Sequence, residues 1–159
     1  MSVPGKLVDS AGNWTGENRL HDQNTGSPQN SSSTARVTPV LGGRFLRLDY
    51  TWTYRDKPQE GSLLVGGEEG ARTATAHWID TWHMSHAGMA CAGRVRDDGG
   101  IDVRGTYAAP PGPDWGWRIE VSPGKGETLR IVMFNITPDG REEPAVEASY
   151  RRSGGATTK

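Results

Sequence analysis

The sequence predicts an all-β protein that forms a single antiparallel up-and-down barrel of about ten strands. Three observations lead to this prediction. The chain of 159 residues contains 22 glycines and 10 prolines, and no apolar stripe of helical period extends beyond about two turns. Segments of alternating polarity occur instead, separated by turn signals about ten residues apart. A closed barrel is the economical arrangement because closure removes the exposed edges of an open sheet.

Each predicted strand is a run of strand-forming residues between turn signals such as Gly, Pro and Asp. The ten strands span residues 13–21, 32–38, 44–54, 59–65, 72–84, 88–95, 101–108, 115–121, 128–137 and 143–151. The third strand alternates most clearly. We expect its apolar face to point inward, with Leu46, Leu48, Tyr50, Trp52 and Tyr54. Before the first strand, residues 4–11 can form one short helical turn.

Length and composition indicate one domain. We expect an N-terminal segment (1–11), a barrel domain (12–152) and a flexible tail (153–159). The 18 basic and 19 acidic residues give a formal net charge of -1. This balance argues against nucleic acid or a membrane surface as a partner, because both favour a concentrated basic face. The sequence allows either a monomer or a homodimer.

The single cysteine, Cys91, permits no internal disulfide. It lies among small apolar residues, where we expect a buried and inert thiol. The chain shows neither a secretory signal pattern nor an apolar run of about 18 residues. We therefore expect a cytoplasmic protein.

Residues 77–86 hold three of the four histidines and two of the six tryptophans. Strand formers lead into this stretch and no helix cap precedes it, so we interpret residues 72–84 as one strand. Alternation then separates its side chains into two faces. One face has Trp78, Asp80 and Trp82, and the other has His77, Ile79, Thr81 and His83.

This alternation bears on metal binding. In one extended strand His77 and His83 stand about 20 Å apart, which is too far for both to bind one metal ion. His83 with His86, across a bend, is the only histidine pair left in this stretch. We therefore predict no metal site.

Two motifs mark the ends of the predicted barrel. Gly12-Asn13-Trp14 opens the first strand, and Tyr150-Arg151-Arg152 ends the last. The pair resembles the calycin signature, in which the tryptophan of Gly-x-Trp closes one barrel end and a C-terminal arginine lies over its indole ring. The physical basis is the attraction between a cation and an aromatic face.

Further motifs extend the resemblance over nearly the whole chain. They are Gly42-Gly43-Arg44-Phe45-Leu46, Glu60-Gly61, Trp78-Ile79-Asp80, Trp117-Arg118 and Asp139-Gly140. In this order they are similar to a bacterial calycin-like family of uncharacterised function. The resemblance implies a barrel related to those of lipocalins, fatty-acid-binding proteins and nitrobindins.

Nitrobindins bind haem, so the resemblance adds haem as a candidate cofactor. Gly12-x-Trp14-x-Gly16 resembles their motif, but Asn18 stands where they have a further glycine. They ligate haem through a histidine in the later part of the barrel, whereas this chain has no histidine after His86. His83 or His86 would have to serve instead. No other cofactor is predicted.

Asp80 is the one acid on the aromatic face of its strand. A carboxylate in an aromatic interior costs several kcal/mol unless it is paired. We expect a structural ion pair, with Arg118 as the candidate partner, or an acid that orients a ligand. Simple alternation places Arg118 opposite Trp117, so both can point inward only if the strand is bulged.

An inward ring of aromatic residues predicts a cavity for a flat or apolar molecule. The predicted ligand contacts are Trp52, Trp78, Asp80, Trp82, His83, Tyr107, Trp117 and Arg118. The first functional hypothesis is therefore small-molecule binding, and a filled barrel without a cavity is the structural alternative.

The other alternative is an enzyme, such as an isomerase, cyclase or hydrolase. The candidate catalytic residues are Asp80 with His83 or His86, acting as an acid and base pair. No Gly-x-Ser-x-Gly motif supports a serine nucleophile.

Overall fold

Ten antiparallel strands close into a barrel in the computed structural model, which describes residues 3–125 and 127–153. The strands are β1 (Gly12–Asp22), β2 (Ser27–Val40), β3 (Phe45–Tyr54), β4 (Lys57–Glu68), β5 (Thr73–Asp80), β6 (Met89–Val95), β7 (Ile101–Tyr107), β8 (Trp115–Pro123), β9 (Thr128–Ile136) and β10 (Glu142–Arg152). Each strand pairs with its neighbours in sequence, and β1 also pairs with β10. The predicted fold class is confirmed.

Two short helices accompany the strands. The helix α1 (Gly5–Val8) precedes β1, and a 3-10 helix (Leu41–Gly43) joins β2 to β3. The short helical turn expected in residues 4–11 is thus confirmed. Of the predicted tail, residues 154–159 lie outside the described residues.

The inward faces of the strands form the core. On β3 the predicted inward residues Leu46, Leu48, Tyr50 and Trp52 are all buried. On β5 burial alternates without exception, with Ala74, Ala76, Trp78 and Asp80 inside. The period of two therefore located the core face correctly on both strands.

The fifth strand is shorter than predicted. β5 ends at Asp80, whereas the sequence predicted a strand over residues 72–84. The Asp80 side chain accepts hydrogen bonds from the backbone N–H groups of Trp82 and His83, both at 2.8 Å. The Met84 N–H then donates to the Asp80 carbonyl at 3.0 Å. These local bonds replace strand pairing and turn the chain, a usual role of aspartate.

One end of the barrel is sealed by Trp14 and Arg152. Trp14 is buried, and its indole N–H donates to the Ser10 carbonyl at 2.9 Å. The guanidinium of Arg152 lies 4.5 Å from the centre of the Trp14 ring. The same guanidinium donates to the carbonyls of Ala11 and Asp9, at 2.6 and 2.9 Å. The expected cation on the indole face is present, and it ties the segment after α1 to the last strand.

The seam between β1 and β10 requires a glycine at position 16. A Cβ atom on Gly16 would stand 1.8 Å from the carbonyl oxygen of Ser149. Any side chain would therefore push the first and last strands apart.

We predict that Arg152→Ala lowers the free energy of unfolding by about 1–2 kcal/mol, because it removes a cation–π contact, two hydrogen bonds to backbone carbonyls and the contact with Glu127. Arg152→Lys keeps the charge but loses the planar fork, so it should fall between the parent and the alanine variant. Urea unfolding followed by tryptophan fluorescence measures both. Equal stability of all three proteins would show that the contact does not seal the barrel.

Candidate functional site

A cavity of about 420 Å³ lies at the barrel end opposite α1, where β5 and β7 end and β6 and β8 begin. Its lining is mostly aromatic and apolar. The lining residues are Trp78, Trp82, His83, Met84, Ala87, Met89, Tyr107, Ala108 and Trp117. Its volume and composition are typical of small-molecule sites in proteins.

The aromatic rings around the cavity pack against one another. Trp78 and Trp117 are stacked, with ring centres 5.0 Å apart and planes 11° apart. Trp82 meets Trp52 edge to face at 5.9 Å. The ring of His83 lies within 5.5 Å of both stacked indoles and 4.7 Å from that of Trp82. One imidazole is therefore surrounded by tryptophan at the wall of the cavity.

The structure brings together five of the eight predicted ligand contacts. Trp78, Trp82, His83, Tyr107 and Trp117 line the cavity. The other three do not: Trp52 and Asp80 are buried behind the lining, and Arg118 is elsewhere. His86, the other histidine considered for catalysis, is exposed and hydrogen-bonds to Ser85 at 3.2 Å.

Asp80 is the centre of a buried hydrogen-bond network. It accepts four bonds: one from the Tyr50 hydroxyl at 2.6 Å, two from the backbone N–H groups of Trp82 and His83, and one from Nδ1 of His83 at 3.1 Å. The indole N–H of Trp78 donates in turn to the Tyr50 hydroxyl at 2.9 Å. The Asp80 side chain is only 1% exposed, so these donors replace water around the carboxylate.

The donors also set the ionisation of the carboxyl. Burial by itself raises the pKa of Asp80, but the hydrogen bonds from His83 and Tyr50, together with the charge that His83 carries when it is protonated in acid, outweigh burial. The net pKa of Asp80 lies below its ordinary value of 3.8. Burial and the nearby Asp80 charge raise the pKa of Tyr50 well above its ordinary value. Tyr50 is therefore a neutral hydroxyl that donates to an ionised carboxylate.

Gly61 allows Tyr50 to reach Asp80. The three residues lie in one row across β3, β4 and β5, with Gly61 between the other two. A Cβ atom on Gly61 would stand 2.2 Å from the Tyr50 hydroxyl oxygen. The sequence predicted that Tyr50 points inward but did not identify it as the donor. The sequence did contain one indication of this contact: an inward acid, Asp80, needs a hydrogen-bond donor, and Tyr50 is an inward residue that can donate.

His83 lies on the cavity side, whereas the sequence placed it on the outward face with His77. The cause is the end of β5 at Asp80, after which alternation no longer applies. An ionised carboxylate only accepts hydrogen bonds, so Nδ1 of His83 must hold a proton. In the neutral imidazole Nε2 is then an acceptor. It lies on the side of the ring away from Asp80.

Arg118 points out of the barrel, so the expected ion pair with Asp80 is wrong. β8 pairs in unbroken register with β7 and β9, and Trp117 faces inward. Arg118 therefore faces outward, where it contacts Glu120 and Glu142 and lies over the ring of Phe134 at 4.3 Å. Within the described residues, the basic partner of Asp80 is His83.

One polar atom of the cavity lining has no partner. The indole Nε1 of Trp117 is buried without a hydrogen bond to any part of the chain that the structure describes. Tyr107, in contrast, donates from its hydroxyl to Asn135 Oδ1 at 2.5 Å. Sequence patterns place Trp117 inward but contain no signal for an unsatisfied N–H.

We predict that Asp80→Asn destabilises the protein by about 2–4 kcal/mol, because it disturbs a buried charge with four donors. Asp49→Asn, which changes a half-buried acid on β3, should alter stability by less than about 1 kcal/mol. Urea unfolding at neutral pH compares the two variants. An equal decrease in the free energy of unfolding in both variants would show that the Asp80 network stabilises the protein no more than a half-buried acid does.

The stability that Asp80 contributes should depend on pH. The folded pKa of Asp80 lies below the unfolded value, so its contribution is present above about pH 4 and is lost as the pH falls through the folded pKa. The stability difference between the parent and Asp80→Asn should therefore shrink in acid. A difference that grew on acidification would contradict the direction of the pKa shift.

Residues 3–125 and 127–153 contain no group of three or more His, Cys, Asp or Glu side chains that could hold a metal ion. The described helices are too short and polar for any to cross a membrane.

Comparison with known proteins gives a family. The crystal structure of Rv2717c from M. tuberculosis is similar, with a TM-score of 0.63 and 13% sequence identity, over 96% of this chain and 99% of that one. At this identity the likeness shows the fold alone. No curated relative matches the chain. Residues 6–152 match the model of DUF1579, described as a protein of unknown function, and the chain therefore belongs to this family.

Proposed function

We propose that the barrel binds a small, largely apolar or aromatic molecule in the cavity at the end opposite α1. The observation that supports this most directly is a space of about 420 Å³ walled by three tryptophans, a tyrosine and a histidine. A ligand that fills this space would take apolar aromatic surface out of water, which favours binding. Calycin-like barrels enclose ligands in this way, and the contact between Trp14 and Arg152 supports that interpretation of the fold.

The position of Trp82 also favours a binding role. It lies in the turn after β5 and is half-buried, with its ring 5.2 Å from that of Tyr54. Tyr54 is anchored by a hydrogen bond to the buried Asp22 at 2.8 Å. A large aromatic side chain is thus held at the mouth of the cavity, where it can cover a bound ring.

We predict that Trp82→Ala weakens binding of the neutral probe N-phenyl-1-naphthylamine about tenfold, through loss of aromatic contact area. The probe becomes fluorescent in apolar surroundings, and its titration gives the dissociation constant. Ile79→Ala is the matched control, since Ile79 is 56% exposed on the outward face of β5. Binding that is equal in the parent and Trp82→Ala would remove this cavity as the site.

An enzyme is the second candidate, and the contact between Asp80 and His83 favours it. The carboxylate fixes the imidazole through Nδ1 and leaves Nε2 free to take a proton from a bound molecule. An isomerase, cyclase or hydrolase could use this pair. The exposed His86 is less suited, because it does not line the cavity.

We predict that the parent protein accelerates the ring opening of 5-nitrobenzisoxazole. A base removes the C–H proton, the N–O bond breaks, and a nitrile and a coloured phenolate form. His83→Ala should abolish the acceleration and Asp80→Asn should reduce it, while His77→Ala, an exposed residue of β5, should not change it. Equal rates for the parent and His83→Ala would exclude His83 as the base.

Haem, suggested by the resemblance to nitrobindins, fits this cavity less well. His83 is the residue that would hold it, and its bond to Asp80 is typical of a ligating histidine. When bound, haem would supply a redox-active iron. Haem also has two propionate groups, and apart from His83 the described residues that line the cavity include no basic side chain. An uncharged aromatic molecule matches the lining better.

A further inference from the structure

The unpartnered N–H of Trp117 indicates more about the ligand. Two tryptophans that are buried more deeply use their indole N–H groups: Trp14 donates to Ser10 and Trp78 donates to Tyr50. Trp117 is only 6% exposed and lines the cavity, yet its Nε1 has no acceptor within the described residues. A buried donor without a partner costs free energy, so such groups in native proteins call for an explanation.

Bulk water does not satisfy this donor, because the nitrogen is shielded from solvent. Met84 and Met89 line the same cavity, and methionine side chains are unbranched and adapt easily to a new neighbour. A bound molecule that carries an acceptor can reach the indole edge once this flexible lining adapts to it. The ring of Trp78 stacks on that of Trp117, with centres 5.0 Å apart, and holds the Trp117 indole plane in place.

His83 supplies the complementary group. Its Nδ1 donates to Asp80, so Nε2 of the neutral ring accepts. The ring centres of His83 and Trp117 are 5.5 Å apart. One small molecule can therefore contact both, with its plane against the surrounding indole rings.

We infer that the ligand is a planar aromatic molecule with an acceptor for Trp117 Nε1–H and, beside it, a hydroxyl or N–H group that donates to Nε2 of His83. This inference rests on the proposed binding function and names the ligand class for that site. Ring systems with adjacent carbonyl and N–H groups, or with a ring nitrogen beside a hydroxyl, belong to this class.

Four bicyclic probes of nearly equal size test the inference by isothermal titration calorimetry. Naphthalene has neither group, quinoline has an acceptor, 2-naphthol has a donor, and 2-quinolone has both. We expect quinoline and 2-naphthol each to bind about three- to tenfold more tightly than naphthalene, and 2-quinolone to bind most tightly. This comparison needs only the parent protein.

Two variants assign the contacts to residues. Trp117→Phe should remove the advantage of quinoline over naphthalene, and His83→Leu should remove that of 2-naphthol. Trp82→Phe is the matched control, since it removes an indole N–H from the same cavity and should keep both advantages. Circular dichroism establishes that each variant is folded.

The outcomes separate the two proposals. If naphthalene and the other probes fail to bind the parent, the proposed function fails. If all four bind equally, or if Trp117→Phe keeps the quinoline advantage, the cavity binds apolar molecules but the inferred ligand class is wrong.

Discussion

The buried carboxylate of Asp80 is the interaction on which the candidate site depends. It is taken out of water at the end of a strand, and four hydrogen bonds compensate for that loss. Two of these bonds come from the backbone that follows, and they bend the chain over the mouth of the barrel. The position of Trp82 and the orientation of His83 both follow from this bend. Without the Asp80 side chain, the turn would lose the acceptor of these two bonds.

The two ends of the barrel differ, because one is closed and the other holds the cavity. At one end α1, Trp14 and Arg152 close the seam between the first and last strands, with every polar atom of the arginine fork used on backbone carbonyls or the carboxylate of Glu127. At the other end, the stacked pair of Trp78 and Trp117 stops short of filling the interior. The closed end thus contributes to stability, while the other end leaves an apolar space open to a ligand.

The site combines a rigid frame with a few polar groups. Gly61, Tyr50 and Asp80 form a row across three strands, which places the donor hydroxyl on the carboxylate without an intervening side chain. The row fixes Asp80, and Asp80 fixes the tautomer of His83. The Nε2 acceptor of His83 and the N–H of Trp117 are then the polar features beside an otherwise apolar space. Binding sites of this kind gain specificity from few polar contacts, because a ligand that lacks the matching group leaves them unpaired.

The sequence by itself determined the barrel and its faces. Strict alternation on β3 and β5 identified inward residues such as Trp52 and Trp78, because a pleated strand has a period of two. Turn residues located the ten strands, and the motifs at Trp14 and Arg152 identified the contact that closes the barrel. These features depend on local backbone geometry, which residues adjacent in the sequence determine.

Only the tertiary structure decided the chemistry of the site. Alternation predicts direction only while a strand continues, and the turn at Asp80 therefore moved His83 from the outer face to the cavity. Alternation gave Arg118 the outward direction, but only the register of β8 excluded the bulge that would have brought it to Asp80. The donor on Asp80 comes from Tyr50, 30 residues away in sequence, and reaches it past a glycine. Such contacts depend on register and on the space between strands, which no single stretch of sequence contains.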